Sequence, residues 1–393
     1  MKNILIITPF YPFPEDDRLL KDTRVVYDLC KYHSENENII IMYYYQHTRT
    51  AAIKNLPRIL AQNNYQQCLY QDDRGHDVLL FEHPGFIPHR YKTFAYFDTK
   101  YAGFLQAYLR DRNIQIDSIA VHFPSRFTPI MRLIHAEYKV GIVHSFDIDR
   151  EDRMKKTRHY LAEYDSVGYR SKHLEKKLTD DGVQYDGFDC SSGIPDSLLS
   201  SQRNRRVWKS DGILKLIYVG KLNQNKNVGT VIKSLSLIKD KVKFHFTIIG
   251  DGEEKYHLQQ QIEDYGLRDF VTMTGALPRE DVFEWLKMSD VFVLISFKET
   301  LGIAYLEAMA TGNIIIGSRG RGIDGLVENN KEAFFVSPDN PDELANLLVR
   351  ISQFDIDDVQ KVLEASGKFI ATHTDSVISN QYINRLVRYQ ERM

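Results

Sequence analysis

VFVLISFKETLGIAYLEAMATGNIIIGS, residues 291–318, reads as strand, turn, helix and strand. The apolar run Val291–Ser296 enters a turn holding Lys298, Glu299 and Thr300, a helical pattern begins near Gly302, and a second run, NIIIGS, occupies 313–318. Two strands separated by a helix pair in parallel through a βαβ crossover. The turn ahead of the helix is also where a ligand would meet the chain. Gly302 lets a ligand approach the backbone, and the free N–H groups of a first helical turn favour a phosphate. Glu299 in the turn and Glu307 on the first turns of the helix form a carboxylate pair. Such a pair accepts hydrogen bonds from vicinal hydroxyls, as on a ribose or a hexose. Taken alone, the two glutamates read by default as a solvated turn residue followed by a helix-surface residue.

The same alternation extends outward. In the carboxyl-terminal half, KLIYVG at 215–220, VKFHFTIIG at 242–250, VTMTG at 271–275 and EAFFV at 332–336 read as strands. Val228, Val231, Ile232, Leu235 and Ile238 place apolar side chains on one face of an intervening helix. The amino-terminal half repeats the pattern with NILIIT at 3–8, NIIIMYYY at 38–45, SIAVH at 118–122, VGIVHS at 140–145 and DSVGY at 165–169. Between the halves, SSQRNRRVWKSDG at 200–212 is polar, basic and without periodicity, as in a linker. The expectation is two Rossmann-like, doubly wound α/β domains, 1–197 and 198–374, facing an interdomain cleft. A last helix within 375–393 would pack back on the first domain. Residues 46–116 are less legible, with Tyr65, Tyr70, Tyr91 and Tyr96 scattered among polar residues.

Composition narrows the function. The 393 residues suffice for two cores, and a net charge of −2 provides no basic field for nucleic acid. Cys30, Cys68 and Cys190 are far apart and odd in number, unlike a disulfide framework or a structural zinc site. The opening MKNILIITPFYPFPEDD reads as a buried strand rather than a signal peptide, and no apolar run is long enough to span a membrane. A cytoplasmic protein is expected. Arg203–Lys209 and Arg385, Arg388 and Arg392 are weighed between a solvated surface and peripheral contact with anionic lipid at the inner membrane face.

A second polar loop lies upstream, in IYVGKLNQNKNVGTVIKSL at 217–235. Lys221 and Lys226 sit there after a strand and before a helix, where two ammonium groups can clamp a pyrophosphate and neutralise a departing nucleotide. With this loop the chain resembles the family 4 glycosyltransferases, retaining enzymes of the GT-B fold. The resemblance runs in order through VGKL…K at 219–226, IIGDGEE at 248–254, VTMTGALPREDVFEWLKMSDVFV at 271–293, ETLGIAYLEAMATG at 299–312 and GLVENNKEAFFVSPDNPDELA at 325–345.

That resemblance implies a donor site. Lys226 with Lys221 would hold the diphosphate, joined by the backbone around Leu301, Gly302 and Ile303. Glu307 would take the ribose hydroxyls, Glu299 the donor hexose, and Gly275 to Leu277 would border the base. Gly250 and Gly252 supply a tight turn or line the cleft. In the first half, His122 ends a strand similar to one that reaches the family's reaction centre, and His144 and Asp147 follow the next strand as cleft or acceptor candidates. The resemblance makes Glu299, Lys226 and His122 the candidates for catalysis. Two departures are visible: the first loop, TPFYPFPEDDRLLKD at 8–22, lacks the family's glycine pair, and Lys221 stands where arginine is usual.

The implied activity is transfer of a hexose or N-acetylhexosamine from a nucleoside diphosphate sugar, UDP-sugar favoured, to a hydroxyl of a glycan or lipid-linked acceptor in bacterial surface polysaccharide or glycoconjugate synthesis. No metal or cofactor is implied. A non-catalytic GT-B partner subunit and a nucleotide-sugar epimerase are the alternatives.

Overall fold

In the computed structural model the described residues form fourteen strands in two sheets, one in each of two compact units. The structure describes residues 1–12, 25–46, 49–83, 93–180, 184–199 and 207–387. Most of the 8–22 loop, Tyr91, linker residues 203–206, Arg388 and Arg392 lie outside them.

The first unit comprises residues 1–170, 174–190 and 375–393. Its sheet has the order β3-β4-β2-β1-β5-β6-β7-β8. The strands are β1 (Lys2–Thr8), β2 (Glu37–Gln46), β3 (Leu69–Gln71), β4 (Asp77–His83), β5 (Ser118–His122), β6 (Tyr138–Val143), β7 (Ser166–Tyr169) and β8 (Gly187–Asp189). All neighbours are parallel except β3 with β4. Helices cover both faces of a parallel sheet, so its central strands read as unbroken apolar runs; Ile4, Leu5, Ile6 and Ile7 are all fully buried. The helix Asp375–Val387 belongs to this unit. It buries Ile378, Tyr382, Ile383 and Leu386 among Ile4, Ile6, Tyr43 and Val140.

Residues 171–173 and 191–374 form the second unit. The change of unit in the middle of the chain therefore falls after Cys190, seven residues before the boundary expected at 197. Its sheet is wholly parallel, in the order β11-β10-β9-β12-β13-β14. The strands are β9 (Leu214–Val219), β10 (Phe244–Ile249), β11 (Val271–Gly275), β12 (Val291–Leu294), β13 (Ile314–Ser318) and β14 (Phe334–Val336). Each matches a run read from sequence. The chain winds outward from β9 through β10 to β11, then returns to β12 on its other side. Such a reversal parts the loops at the carboxyl ends of the two central strands, which is where open α/β sheets bind ligands. Here those loops are the ones after β9 and β12.

Candidate functional site

Three asparagines shape the loop after β9, Gly220–Asn227. Asn223 caps a short turn by accepting from the Lys226 amide at 3.0 Å. Asn225 reaches the loop after β12: its carbonyl accepts from Phe297 N (2.9 Å), its Oδ1 accepts from Lys298 N (2.8 Å) and its Nδ2 donates to Lys298 O (2.8 Å). Asn227 holds a left-handed φ of 57° and donates from Nδ2 to Ile295 O at 3.1 Å. A side-chain amide carries donors and an acceptor that mimic a peptide group, so asparagine suits a loop that must bond to backbone.

The next residue along each strap carries the charge. Lys226 Nζ meets Glu299 Oε2 at 2.5 Å, with side chains 23% and 13% exposed. Glu299 is fixed from behind as well. Its carbonyl accepts from Gly322 N at 3.1 Å. Its Cγ would lie 3.2 Å from a Cβ at Gly302 and 3.4 Å from one at Gly322, both glycines in left-handed conformation, with φ of 77° and 62°. Tyr305 fills the remaining space under Gly302 and donates its hydroxyl to Leu294 O.

Gly302 caps the helix Ile303–Ala310. Leu301 is buried and Ile303 partly exposed, and the amides that open this helix have no carbonyl one turn back to bond. Glu307, on the same helix, is largely buried and receives Arg279 through Nε at 3.1 Å and Nη2 at 2.5 Å, both on Oε1. Arg279 opens the preceding helix, Arg279–Lys287, just beyond Leu277. Gly275 ends β11 with φ 78° and open space around it, and its carbonyl accepts from Gly250 N at 2.9 Å. Lys221 is exposed; Tyr218 Oη donates to its carbonyl at 2.9 Å.

Gly250 and Gly252 have a structural explanation. A Cβ on Gly250 would stand 1.8 Å from Gly220 O, and one on Gly252 would stand 2.1 Å from Leu222 O. They let the loop after β10 run against the lysine-bearing loop after β9, joined by Gly220 N to Ile249 O (3.0 Å) and Leu222 N to Asp251 O (2.9 Å).

In the first unit, His122, His144 and Asp147 gather at the carboxyl ends of β5 and β6. His122 is fully buried, its Nδ1 3.0 Å from His144 Nε2 and its Nε2 3.0 Å from Tyr382 Oη. Burial, with the Arg170 charge adding to it, pulls the His122 pKa down to about 3 and holds His144 well below the usual histidine range. His144 is the partly exposed ring of the two and stacks on Phe123 at 4.0 Å. Phe123 itself adopts a left-handed φ of 64°, a strained conformation for a bulky residue. Asp147 is buried and accepts from Ser125 N at 3.1 Å and His144 N at 2.9 Å; burial outweighs these bonds and pushes its pKa up to about 6. Both nitrogens of His122 face protein groups, and of the two rings only His144 is partly exposed.

Sequence reading missed Arg279, Asn225, Gly322 and Tyr382. The repeated asparagines of LNQNKN were the available signal for the first strap, and Arg279 stands in the PRED segment directly after the glycine loop. Nothing local marks Tyr382, which meets His122 across 260 positions.

A wholly parallel second sheet, a parallel first sheet with one antiparallel edge and a charged site at the β9/β12 reversal define the GT-B class. Residues 200–360 match the model of the family described as glycosyl transferases group 1. The amylovoran biosynthesis glycosyltransferase AmsK of Erwinia amylovora is 32% identical over 162 residues, 39% of this chain and 40% of AmsK. The protein WcaL of Escherichia coli, named for colanic acid biosynthesis, is 29% identical over 263 residues, 63% of each chain. The match thus spans less than two thirds of these relatives. Among solved structures, Anabaena Alr3699/HepE in complex with UDP and glucose superposes with a TM-score of 0.67 at 15% identity, over 98% of this chain and 99% of that one.

Proposed function

We propose that the second unit binds a nucleoside diphosphate sugar and that the chain transfers its hexose or N-acetylhexosamine, with retained anomeric configuration, to a hydroxyl of a glycan or lipid-linked acceptor. The observation that carries this reading is the Lys226–Glu299 pair beside the amides that open the helix Ile303–Ala310. One small region thus offers a cation and backbone donors for a diphosphate and a fixed carboxylate for sugar hydroxyls. Glu307 would take the ribose, with Arg279 holding it in place. Gly275 and Leu277 would border the base. UDP is favoured because HepE, similar in fold, was solved with UDP and glucose. Surface polysaccharide synthesis is favoured by the names of AmsK and WcaL.

In this reaction the acceptor oxygen bonds to the anomeric carbon on the face from which the diphosphate leaves. The bond from that carbon to the diphosphate oxygen breaks, and the acceptor proton passes to the departing diphosphate. Lys226, the exposed Lys221 and the helix amides would stabilise the charge developing on the leaving group, worth a few kcal/mol per well-placed donor. The proposal needs no metal ion. No helix among the described residues is long and apolar enough to cross a membrane; a cytoplasmic location and peripheral contact with its inner face are part of the proposal.

The test is incubation with UDP-, GDP- and ADP-sugars, in EDTA, followed by proton NMR of the released sugar. The reading expects slow hydrolysis of one donor, with the α-anomer appearing first from an α-linked donor. Binding without turnover, with or without candidate acceptors, would favour a non-catalytic partner subunit. First appearance of the inverted anomer would exclude a retaining enzyme.

A further inference from the structure

The Lys226–Glu299 pair joins two groups that the donor needs separately: the ammonium for phosphate and the carboxylate for sugar. In the structure each is occupied by the other, at 2.5 Å and largely out of water. The contact is held in register. The Asn225–Lys298 hydrogen bonds stand one residue back along both loops, and Gly302 and Gly322 pack against the Glu299 methylene. Glu299 therefore has little freedom to turn aside when Lys226 is drawn to another anion.

A diphosphate that recruits Lys226 leaves a mostly buried carboxylate without its cation, and breaking such a pair from one side is costly. What restores the balance depends on the rest of the ligand. A hexose brings hydroxyl hydrogens that Glu299 can accept in place of the ammonium. A bare nucleoside diphosphate brings only further phosphate oxygens, which are acceptors and carry the same sign of charge.

We infer that Glu299 competes with the diphosphate for Lys226, so that the site discriminates against a nucleotide without its sugar and favours release of the nucleoside diphosphate once the sugar has gone. The inference rests on the donor-site reading above. It adds a consequence that a purely attractive role for Glu299 lacks: removing the carboxylate changes the affinity for nucleotide and nucleotide sugar in opposite directions.

The experiment is isothermal titration of the full chain and of Glu299→Gln and Glu299→Ala with UDP and UDP-glucose, and in parallel with GDP and GDP-mannose. Melting curves accompany each variant, and the second variant guards against a local effect of the first. In the base series that binds, both variants should hold the bare diphosphate about five- to tenfold more tightly than the native chain and the nucleotide sugar about tenfold or more less tightly. Weaker or unchanged binding of the bare diphosphate, alongside loss of nucleotide-sugar binding, would overturn the competition while leaving the donor site intact. Failure of the native chain to bind any of the four ligands would overturn both.

Discussion

Gly252→Ala tests whether the lysine-bearing loop is set by contact with the loop after β10. The added Cβ would lie 2.1 Å from Leu222 O, at a backbone φ of 157° that side chains rarely adopt. Relief requires the Leu222 carbonyl to retreat by roughly an ångström, and that carbonyl accepts from Glu254 N at 3.1 Å in the segment leading to Lys226. Backbone strain contributes about 1–3 kcal/mol and overpacking a similar amount, for a total of roughly 4 kcal/mol. In a unit of this size that lowers the melting temperature by ~10 °C. Gly275→Ala is the internal comparison: its φ is 78°, yet nothing lies within 4 Å of the new Cβ, so it carries the strain alone. Differential scanning calorimetry of both variants should separate them by roughly 5 °C or more. Equal melting temperatures would refute the argument from close approach.

Four side chains of the helix Asp375–Val387, Ile378, Tyr382, Ile383 and Leu386, are at most 4% exposed. A chain ending at Thr374 loses roughly 6–12 kcal/mol of burial, comparable to the whole stability of a domain, and should show no near-ultraviolet dichroism from a packed first unit; a soluble truncation with two cooperative transitions would contradict this. His122 and His144 should both stay neutral from pH 8 to 5, since burial pulls His122 to about 3 and His144 well below 6.5. The unfolded chain takes up those protons near 6.5, so their contribution to stability is complete above that pH and is lost as pH falls. Asp147 and Asp98, each pushed by burial up to about 6, act in the opposite sense, favouring the folded state as pH drops from 6 toward 3.8. Imidazole NMR titration checks the histidines, and an inflection between pH 5 and 8 from either ring would count against this burial. Arg279→Ala removes a half-exposed partner of Glu307, so stability should fall by only about 0.5–1 kcal/mol while the donor KM rises several-fold; an unchanged KM would dissociate Arg279 from the ribose site.

The second unit was legible because strands buried on both faces show as apolar runs, and six such runs became six strands. The stretch 46–116 was not, for identifiable reasons. β3 has three residues and pairs antiparallel at the sheet edge, so it leaves no apolar run, and the helix Arg49–Ala61 carries an internal proline. At the site, residue types were legible and pairings were not. Lys226 and Glu299 are 73 positions apart, and no local pattern records that the Asn225 side chain, bonded to the Lys298 backbone, brings them together. His122 is a candidate through the resemblance of its strand, and no local pattern records that Tyr382, 260 positions away, lies 3.0 Å from its Nε2.

The central claim is that the loops after β9 and β12 form a nucleotide-sugar site. Its most direct test is the affinity of the selected nucleotide sugar for the native chain and for Lys226→Ala, measured by titration with both proteins folded to the same melting temperature. The account predicts loss of about two orders of magnitude in affinity, as expected for removing a diphosphate's main cation from a partly buried site. Equal affinity in the two proteins would contradict it and place the donor elsewhere.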